Sequence, residues 1–239
     1  MNTLETYSKL IEKEISSFSF PASPLNLYDP LRYFMTLCGK RMRPMLTLMS
    51  AKLFDKSVEE SISAALAVEL FHNFSLIHDD IMDDAPLRRA KETVHEKWNT
   101  NIAILSGDVL FVKAYEEICK NPPHLIPALL TVFNKTAIEV CEGQQMDMDF
   151  ETRNDVASEE YIEMIRLKTS VLLGCALEMG AIIGETSLEN RKALYDFGVH
   201  LGIAFQIQDD LWTYTEIQRK LGNKLEAMCL RIKKRCFPF

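Results

Sequence analysis

The chain has 239 residues, of which 47% are hydrophobic, and its formal net charge is −7. That length and composition suffice for a sizeable core, and we expect one domain. The acidic balance disfavours nucleic-acid binding, because that function needs a basic surface. The sequence contains no signal-peptide pattern and no uncharged apolar run of about 18 residues, so we expect a cytoplasmic protein without stable membrane insertion.

Apolar residues recur at helical spacing along most of the chain, and proline-rich turns separate the helical segments. No alternating strand pattern intervenes, so the fold class expected is all-α. The predicted helices cover residues 3–18, 31–38, 46–53, 62–82, 102–119, 129–150, 161–183 and 194–211.

The cysteines are scattered without the paired spacing of a zinc site, which predicts reduced, mostly buried thiols rather than a disulfide framework. They are Cys38, Cys119, Cys141, Cys175, Cys229 and Cys236.

The first cluster that could carry chemistry is basic. Lys40, Arg41 and Arg43 follow Gly39 and precede Pro44. A lysine supplies a mobile point charge and an arginine a fixed fork, a pair that suits a diphosphate. A solvated basic turn at a helix end explains the same residues, and on local evidence alone it is the commoner explanation.

The second cluster is acidic and lies at the C-terminal end of the helix predicted over residues 62–82. Asp79 and Asp83 share one helix face a turn apart, and Asp80 flanks it. Carboxylates this close repel unless a cation lies between them, and hard oxygen ligands suit Mg²⁺. An exposed acidic helix end is the alternative, although acids there oppose the helix dipole. Arg88 and Arg89 follow in a predicted loop, close enough to neutralise phosphate bound to the metal.

Further polar groups interrupt the later helices. Residues 142–149 form either a helix end or a site, and Lys168 with Thr169 lies in an apolar helix, where the lysine either reaches solvent or meets an anion. Asp209 and Asp210 form a second acidic pair at a predicted helix end. If the helices are antiparallel neighbours, both acidic groups can face one cavity, as metal sites in helical bundles do.

Taken together and in order, these motifs resemble the polyprenyl synthetase family of trans-type isoprenyl diphosphate synthases. The resemblance covers nearly all of residues 31–211. Its pieces are Gly39-Lys40-Arg41-x-Arg43-Pro44, His72, Asp79-Asp80-x-x-Asp83, Arg88-Arg89, Gly107-Asp108, Gly143-Gln144-x-x-Asp147, Lys168-Thr169 and Phe205-Gln206-x-x-Asp209-Asp210.

The resemblance implies an isoprenoid synthase helical bundle around a central cavity, a homodimer, and condensation of an allylic diphosphate with isopentenyl diphosphate. It implies Mg²⁺ held by aspartates, which promotes loss of diphosphate from the allylic substrate. The implied metal ligands are Asp79, Asp80, Asp83, Asp209 and Asp210, and the implied catalytic residues are Asp79, Asp80, Asp83, Lys168 and Asp209.

The same resemblance assigns the substrate-binding residues. It implies that Arg88 and Lys168, together with Mg²⁺, bind the allylic diphosphate, and that Thr169 and Gln206 also bind substrate. Isopentenyl diphosphate would contact Lys40, Arg43, His72 and Arg89. Class I terpene cyclases share an aspartate-rich motif but need no second diphosphate site, so residues 39–44 discriminate against them. Phe74 and Ser75 precede the first aspartates, where bulk limits product length in the family, and a single aromatic residue there favours a farnesyl or geranylgeranyl product.

The sequence departs from the family after Asp210. The family continues with a third aspartate, whereas Leu211-Trp212-Thr213 follows here. Trp-Thr is encoded TGG-ACN, which contains the aspartate codon GAC one base earlier, so one restored base after Leu211 would place an aspartate at position 213. We therefore expect residues 1–211 to form an incomplete synthase domain that lacks C-terminal helices, and residues 212–239 to be an out-of-frame tail.

The departure from the family sequence after Asp210 lowers the catalytic activity that we expect from this chain. Without the third aspartate one metal-binding wall is incomplete, so we expect little or no turnover by the chain as it stands. A noncatalytic or regulatory subunit that pairs with a complete synthase is the alternative function. Such a partner would need neither set of substrate-binding cations, and this chain retains both.

Overall fold

The computed structural model describes residues 3–37 and 39–221, and it confirms the all-α prediction. Two strands of two residues each form a hairpin that interrupts the helices, and a π-helical turn, Arg166–Ser170, lies between two of the later helices. The elements are α1 (Thr3–Ser17), α2 (Leu25–Met35), α3 (Met42–Lys52), α4 (Val58–Met82), β1 (Leu87–Arg88), β2 (Lys91–Glu92), α5 (Val94–Lys97), α6 (Thr100–Cys119), α7 (Ile126–Phe150), α8 (Ser158–Ile165), α9 (Val171–Ile183) and α10 (Leu188–Leu221).

The structure corrects two sequence predictions about the chain path. Arg88 and Arg89 lie in the hairpin rather than in an irregular loop, and Arg89 and Ala90 form its turn with positive φ angles of 53° and 61°. Positive φ at both central residues is the geometry of a tight hairpin. The helix predicted to end at residue 211 continues to Leu221, so Asp209 and Asp210 lie inside α10. The predicted tail beyond residue 221 lies outside the described residues.

Contacts divide the chain into two compact units. The first comprises Met1–Leu130 and Ala176–Ser187, and the second comprises Thr131–Cys175 and Leu188–Phe239. In the first unit α4 packs against α3 and α6, and most of its middle is buried. Ser57 begins this helix, because its hydroxyl accepts from the Glu60 backbone while the Glu60 carboxylate accepts from the Ser57 backbone.

Two cysteines differ from the prediction of buried thiols. Cys119 and Cys141 are exposed, whereas Cys175 is buried. The prediction used the average preference of cysteine for the interior, and an average does not decide single positions.

Within the described residues, the structure contains no helix with the length and apolar character needed to span a membrane.

A buried ion pair fixes the basic segment before α3. The Arg41 Nη1 atom donates to Glu69 Oε1 at 2.6 Å, and the two side chains are only 2% and 4% exposed. Arg41 also contacts Glu12, whose side chain is 45% exposed, at 3.1 Å. Arg41 is the N-cap residue of α3 with a φ of 47°, which turns its side chain inward. This arginine therefore has a structural role.

Removing the buried partner should cost far more than removing the exposed one. We expect Glu69→Gln to lower the free energy of unfolding by about 3 kcal/mol, because it leaves the Arg41 charge buried and uncompensated. Glu12→Gln, the matched control, should cost less than about 1 kcal/mol. Urea denaturation of both variants checks this, and equal losses would contradict it.

Candidate active site

The last turn of α4 and the hairpin bring a carboxylate pair and an arginine together. The Arg88 Nε atom lies 2.8 Å from both carboxylate oxygens of Asp80, and its Nη2 atom lies 3.1 Å from Asp79 Oδ2. Asp80 is buried, with a side chain only 2% exposed. Burial raises the pKa of Asp80, and the hydrogen bonds from Arg88 oppose that rise. Burial alone would lower the pKa of Arg88, but its contacts with Asp80 and Asp79 raise it.

Asp83 lies one helical turn from Asp79, as the sequence predicts. It is the C-cap residue of α4, and its backbone N–H donates to the Asp79 carbonyl at 2.9 Å. The three carboxylates are hard oxygen ligands, and the guanidinium of Arg88 already places a positive charge against two of them. The donor set therefore fits Mg²⁺ chemically.

The basic segment, residues 39–44, separates into different environments. Lys40 is exposed, whereas Arg43 Nη1 lies 3.0 Å from His72 Nε2 on the neighbouring α4. Arg89 reaches back from the hairpin, where its Nη1 donates to the Leu37 carbonyl at 2.9 Å. A Cβ atom on Gly39 would lie only 2.8 Å from that same Nη1 atom. The absence of a side chain at Gly39 thus allows Arg89 to lie against this segment.

His72 is surrounded by positive charge. Burial lowers the pKa of His72 far below its ordinary value, and the nearby charges of Arg43, Arg89 and Arg88 lower it further. Burial also lowers the pKa of Arg43 to about 10, which leaves this arginine charged at neutral pH. His72 is therefore neutral there, and Nε2 can accept from Arg43.

Phe74, the residue predicted to limit product length, lies in an aromatic cluster with α6. Its ring stacks on Phe111 with centroids 4.9 Å apart, and it also contacts Phe71 and His78. Ser75 is held by a hydrogen bond from its hydroxyl to the His72 carbonyl at 2.8 Å. The two residues occupy one stretch of α4 between the cationic group and the aspartates.

The second unit contains its own polar network. Lys168 Nζ binds Asp147 Oδ2 at 2.7 Å, so the lysine meets an anion rather than only reaching solvent. Gln206 Nε2 donates to Asp210 Oδ1 at 3.0 Å, and the Tyr161 hydroxyl donates to the other oxygen of Asp210. Burial raises the pKa of Asp210, and these two hydrogen bonds oppose the rise.

The π-helical turn at Lys168 depends on close packing. A Cβ atom on Gly143 of α7 would lie 2.2 Å from the Lys168 backbone nitrogen, and one on Gly202 of α10 would lie 2.6 Å from Ser170 Cα. The turn therefore lies directly against both helices. Thr169 contacts Gln206 at 3.5 Å, at the limit of a hydrogen bond. Residues 142–149 belong to α7, which ends at Phe150, so the cluster lies within the helix.

Sequence reasoning missed Tyr161. This tyrosine appeared only as the first residue of the helix predicted over residues 161–183, and no local pattern marked its hydroxyl as the partner of Asp210. Asp147 was part of a recognised motif, but nothing in the sequence paired it with Lys168.

Comparison with known proteins agrees with the motifs. The family model described as polyprenyl synthetase matches residues 24–228. The geranylgeranyl diphosphate synthase of Methanosarcina mazei is 41% identical over 224 residues, which cover 93% of this chain and 69% of that protein. The chain belongs to the polyprenyl synthetase family, the trans-type isoprenyl diphosphate synthases.

Solved structures agree with this assignment. A crystal structure of a geranylgeranyl pyrophosphate synthase is 51% identical with a TM-score of 0.85, and the match covers 88% of this chain and 64% of that one. The geranylgeranyl pyrophosphate synthetase of Pyrococcus horikoshii is 42% identical with a TM-score of 0.82, covering 87% and 64% of the two chains. The present chain thus spans about two thirds of the length of these relatives.

The neutral state of His72 should make stability depend on pH. Its folded pKa is depressed, so the stability it contributes is present above the unfolded value of about 6.5 and lost as the pH falls below it. The free energy of unfolding should fall by about 1.4 kcal/mol per pH unit there. His72→Gln should remove this component, and the exposed His200→Gln should keep it. Urea denaturation at several pH values checks this, and equal slopes in all three proteins would contradict it.

Proposed function

We propose that this chain carries the chemistry of a short-chain prenyl diphosphate synthase, which joins an allylic diphosphate to isopentenyl diphosphate in isoprenoid biosynthesis. The observation that carries the proposal is the Asp79–Asp80–Arg88 group beside the arginines around His72. One unit thus combines a carboxylate set suited to a metal with a cationic set suited to a phosphate. The names of the relatives support the same reaction.

The proposed metal is Mg²⁺, with Asp79, Asp80 and Asp83 as proposed ligands in the first unit and Asp209 and Asp210 as proposed ligands in the second. Magnesium bound at such carboxylates would neutralise the diphosphate as its bond to the allylic carbon breaks. Asp210 is already oriented for such a role, because Tyr161 and Gln206 hold both of its carboxylate oxygens.

Two cations of the chain are proposed to bind the allylic diphosphate. Arg88 now binds Asp79 and Asp80, and Lys168 binds Asp147. Carboxylate and phosphate oxygens accept the same charge-assisted hydrogen bonds, so each cation can exchange one partner for the other. Thr169 and Gln206 are also proposed to bind substrate.

A separate group is proposed to bind isopentenyl diphosphate. Arg43 and Arg89 would supply fixed guanidinium groups, and the exposed Lys40 a mobile charge. Neutral His72 holds Arg43 in place without adding a further charge to repel it. An arginine that is already positioned loses less side-chain entropy when a ligand binds.

Product length is proposed to depend on the aromatic cluster at Phe74. The stack of Phe74 on Phe111 places bulk on α4 in the stretch that precedes Asp79. A growing apolar chain that meets Phe74, with Ser75 as its neighbour on α4, would stop early, which favours a farnesyl or geranylgeranyl product.

We also propose that the protein is cytoplasmic and forms a homodimer. The exposed apolar residues Leu105 and Val112, on one face of α6, support the proposed dimer.

The sequence after Asp210 affects the rate of turnover that we expect from this chain. We propose that residues 212–239 are read out of frame, so that Thr213 replaces an aspartate of the second metal group. Turnover by this chain should then be weak even where substrate binding is retained. The nucleotide sequence around the codon for Leu211 tests this directly, because a single restored base must open a frame with an aspartate at position 213.

Substrate binding tests the proposed function without relying on turnover. We expect farnesyl diphosphate to bind the purified chain in calorimetry only when Mg²⁺ is present. Asp80→Asn should weaken binding at least about tenfold, or about 1.4 kcal/mol, because it removes a metal ligand and the partner of Arg88. Asp55→Asn, which changes an exposed aspartate, is the matched control.

Three outcomes bear on this test. Slow, Mg²⁺-dependent product formation after isopentenyl diphosphate is added supports the proposal. Binding that ignores Mg²⁺, or that is equal in Asp80→Asn and the wild type, contradicts it. Binding without turnover, combined with a changed rate when the chain is mixed with a complete synthase, identifies the noncatalytic partner instead.

A further inference from the structure

Three potential metal ligands meet at the base of the hairpin. Asp84 precedes strand β1, and His95 and Glu96 follow strand β2. One ligand atom from each residue lies within 4.8 Å of the other two. They are distinct from Asp79 and Asp80, which bind Arg88.

His95 provides independent evidence that this cluster is a site. Its side chain is only 6% exposed, and its Nε2 atom lies 3.7 Å from Glu96 Oε1. Both ring nitrogens are buried, and neither has a hydrogen-bond partner among the described residues. Buried polar groups in folded proteins are nearly always satisfied, so this imidazole calls for a partner. A metal ion bound between His95 and the two carboxylates would supply one.

The ligand types indicate which metal would bind. We propose that Asp84, His95 and Glu96 bind one divalent transition-metal ion, with Zn²⁺ as the best match. Imidazole nitrogen with carboxylate oxygen suits zinc and its neighbours, whereas magnesium prefers oxygen ligands alone. Asp84 and Glu96 are exposed, so their side chains can rotate to bring the oxygens into bonding distance. Three protein ligands leave the fourth zinc position for water.

The ion would close the hairpin across its base. Two hydrogen bonds already join the ends of this segment: the Thr93 hydroxyl donates to the Ala85 carbonyl at 2.8 Å, and the Thr93 N–H donates to the Pro86 carbonyl at 3.2 Å. The segment between Asp84 and His95 carries Arg88 and Arg89. A bound ion would therefore restrain both arginines relative to the end of α4.

The backbone offers a well-matched pair of variants. Asp84 has a φ of 48°, and Asp55, an exposed aspartate outside the cluster, has a φ of 62°. Asparagine tolerates this left-handed conformation, so both Asp84→Asn and Asp55→Asn should fold. Glu96→Gln changes an exposed side chain. The double variant Asp84→Asn with Glu96→Gln thus removes both carboxylates while leaving buried His95 intact.

The first experiment titrates Zn²⁺ against a chromophoric chelator in excess Mg²⁺, which fills the proposed magnesium ligands. We expect the wild type and Asp55→Asn to bind one zinc ion with equal affinity. The double variant should bind it at least about tenfold more weakly. Equal affinity in the double variant and the wild type, or no binding by any protein, would overturn the proposal.

Two further readouts separate this site from the exposed cysteines and test the restraint. Co²⁺ in place of Zn²⁺ should give a spectrum of nitrogen and oxygen ligands, and a thiolate charge-transfer band would assign the ion to cysteine instead.

Proteolysis tests the restraint of the hairpin, because trypsin cleaves after Arg88, Arg89 and Lys91. Zn²⁺ should slow this cleavage several-fold in the wild type and leave the double variant unchanged, and equal protection of both would overturn the proposed site.

Discussion

Two adjacent carboxylates at the end of helix α4 repel each other, and a cation placed against both relieves that repulsion. In this protein Arg88 supplies that cation, bound to both oxygens of Asp80 and to Asp79. The hairpin positions Arg88 against the two aspartates. The last turn of α4 places Asp83 one turn after Asp79. This electrostatic interaction therefore joins the hairpin to the end of α4.

The same arrangement recurs at two other cations. Lys168 is bound by Asp147 in the second unit, and Arg43 is bound by neutral His72 in the first. Each cation is held in place by a group from another helix, so it is oriented before a ligand arrives. We propose that a diphosphate replaces the carboxylate partners of Arg88 and Lys168 while His72 keeps Arg43 in place, so that less of the binding energy is lost to ordering side chains.

Much of this site could be predicted from sequence. Helical spacing placed Asp79 and Asp83 on one face of α4, and the order of the motifs identified the family. Arg88 was also recognised from the sequence, because it follows the aspartates within a few positions of the same motif. The predicted helices agree with the structure within a few residues at most ends, because apolar periodicity records burial directly.

Features that depend on tertiary context could not be predicted. Strands of two residues are too short to show alternation, so the hairpin was taken for a loop. Arg41 looked equivalent to Lys40 and Arg43, and only the backbone turn that directs it to Glu69 separates their roles. Helix α10 continues past Asp210 because no glycine or proline follows before Leu221. The partner of Lys168 lies in another helix, where local spacing gives no information.

We propose that Arg88 binds Asp79 and Asp80 until a metal ion and a diphosphate bind there. Calorimetry of Arg88→Gln with Mg²⁺ alone, and then with Mg²⁺ and inorganic diphosphate, tests it most directly. Without the arginine, Mg²⁺ alone should bind more tightly than to the wild type, because no competing cation must leave. Diphosphate should bind more weakly, because the variant lacks the Arg88 guanidinium that is proposed to bind it. Unchanged or weaker binding of Mg²⁺ alone would contradict the account.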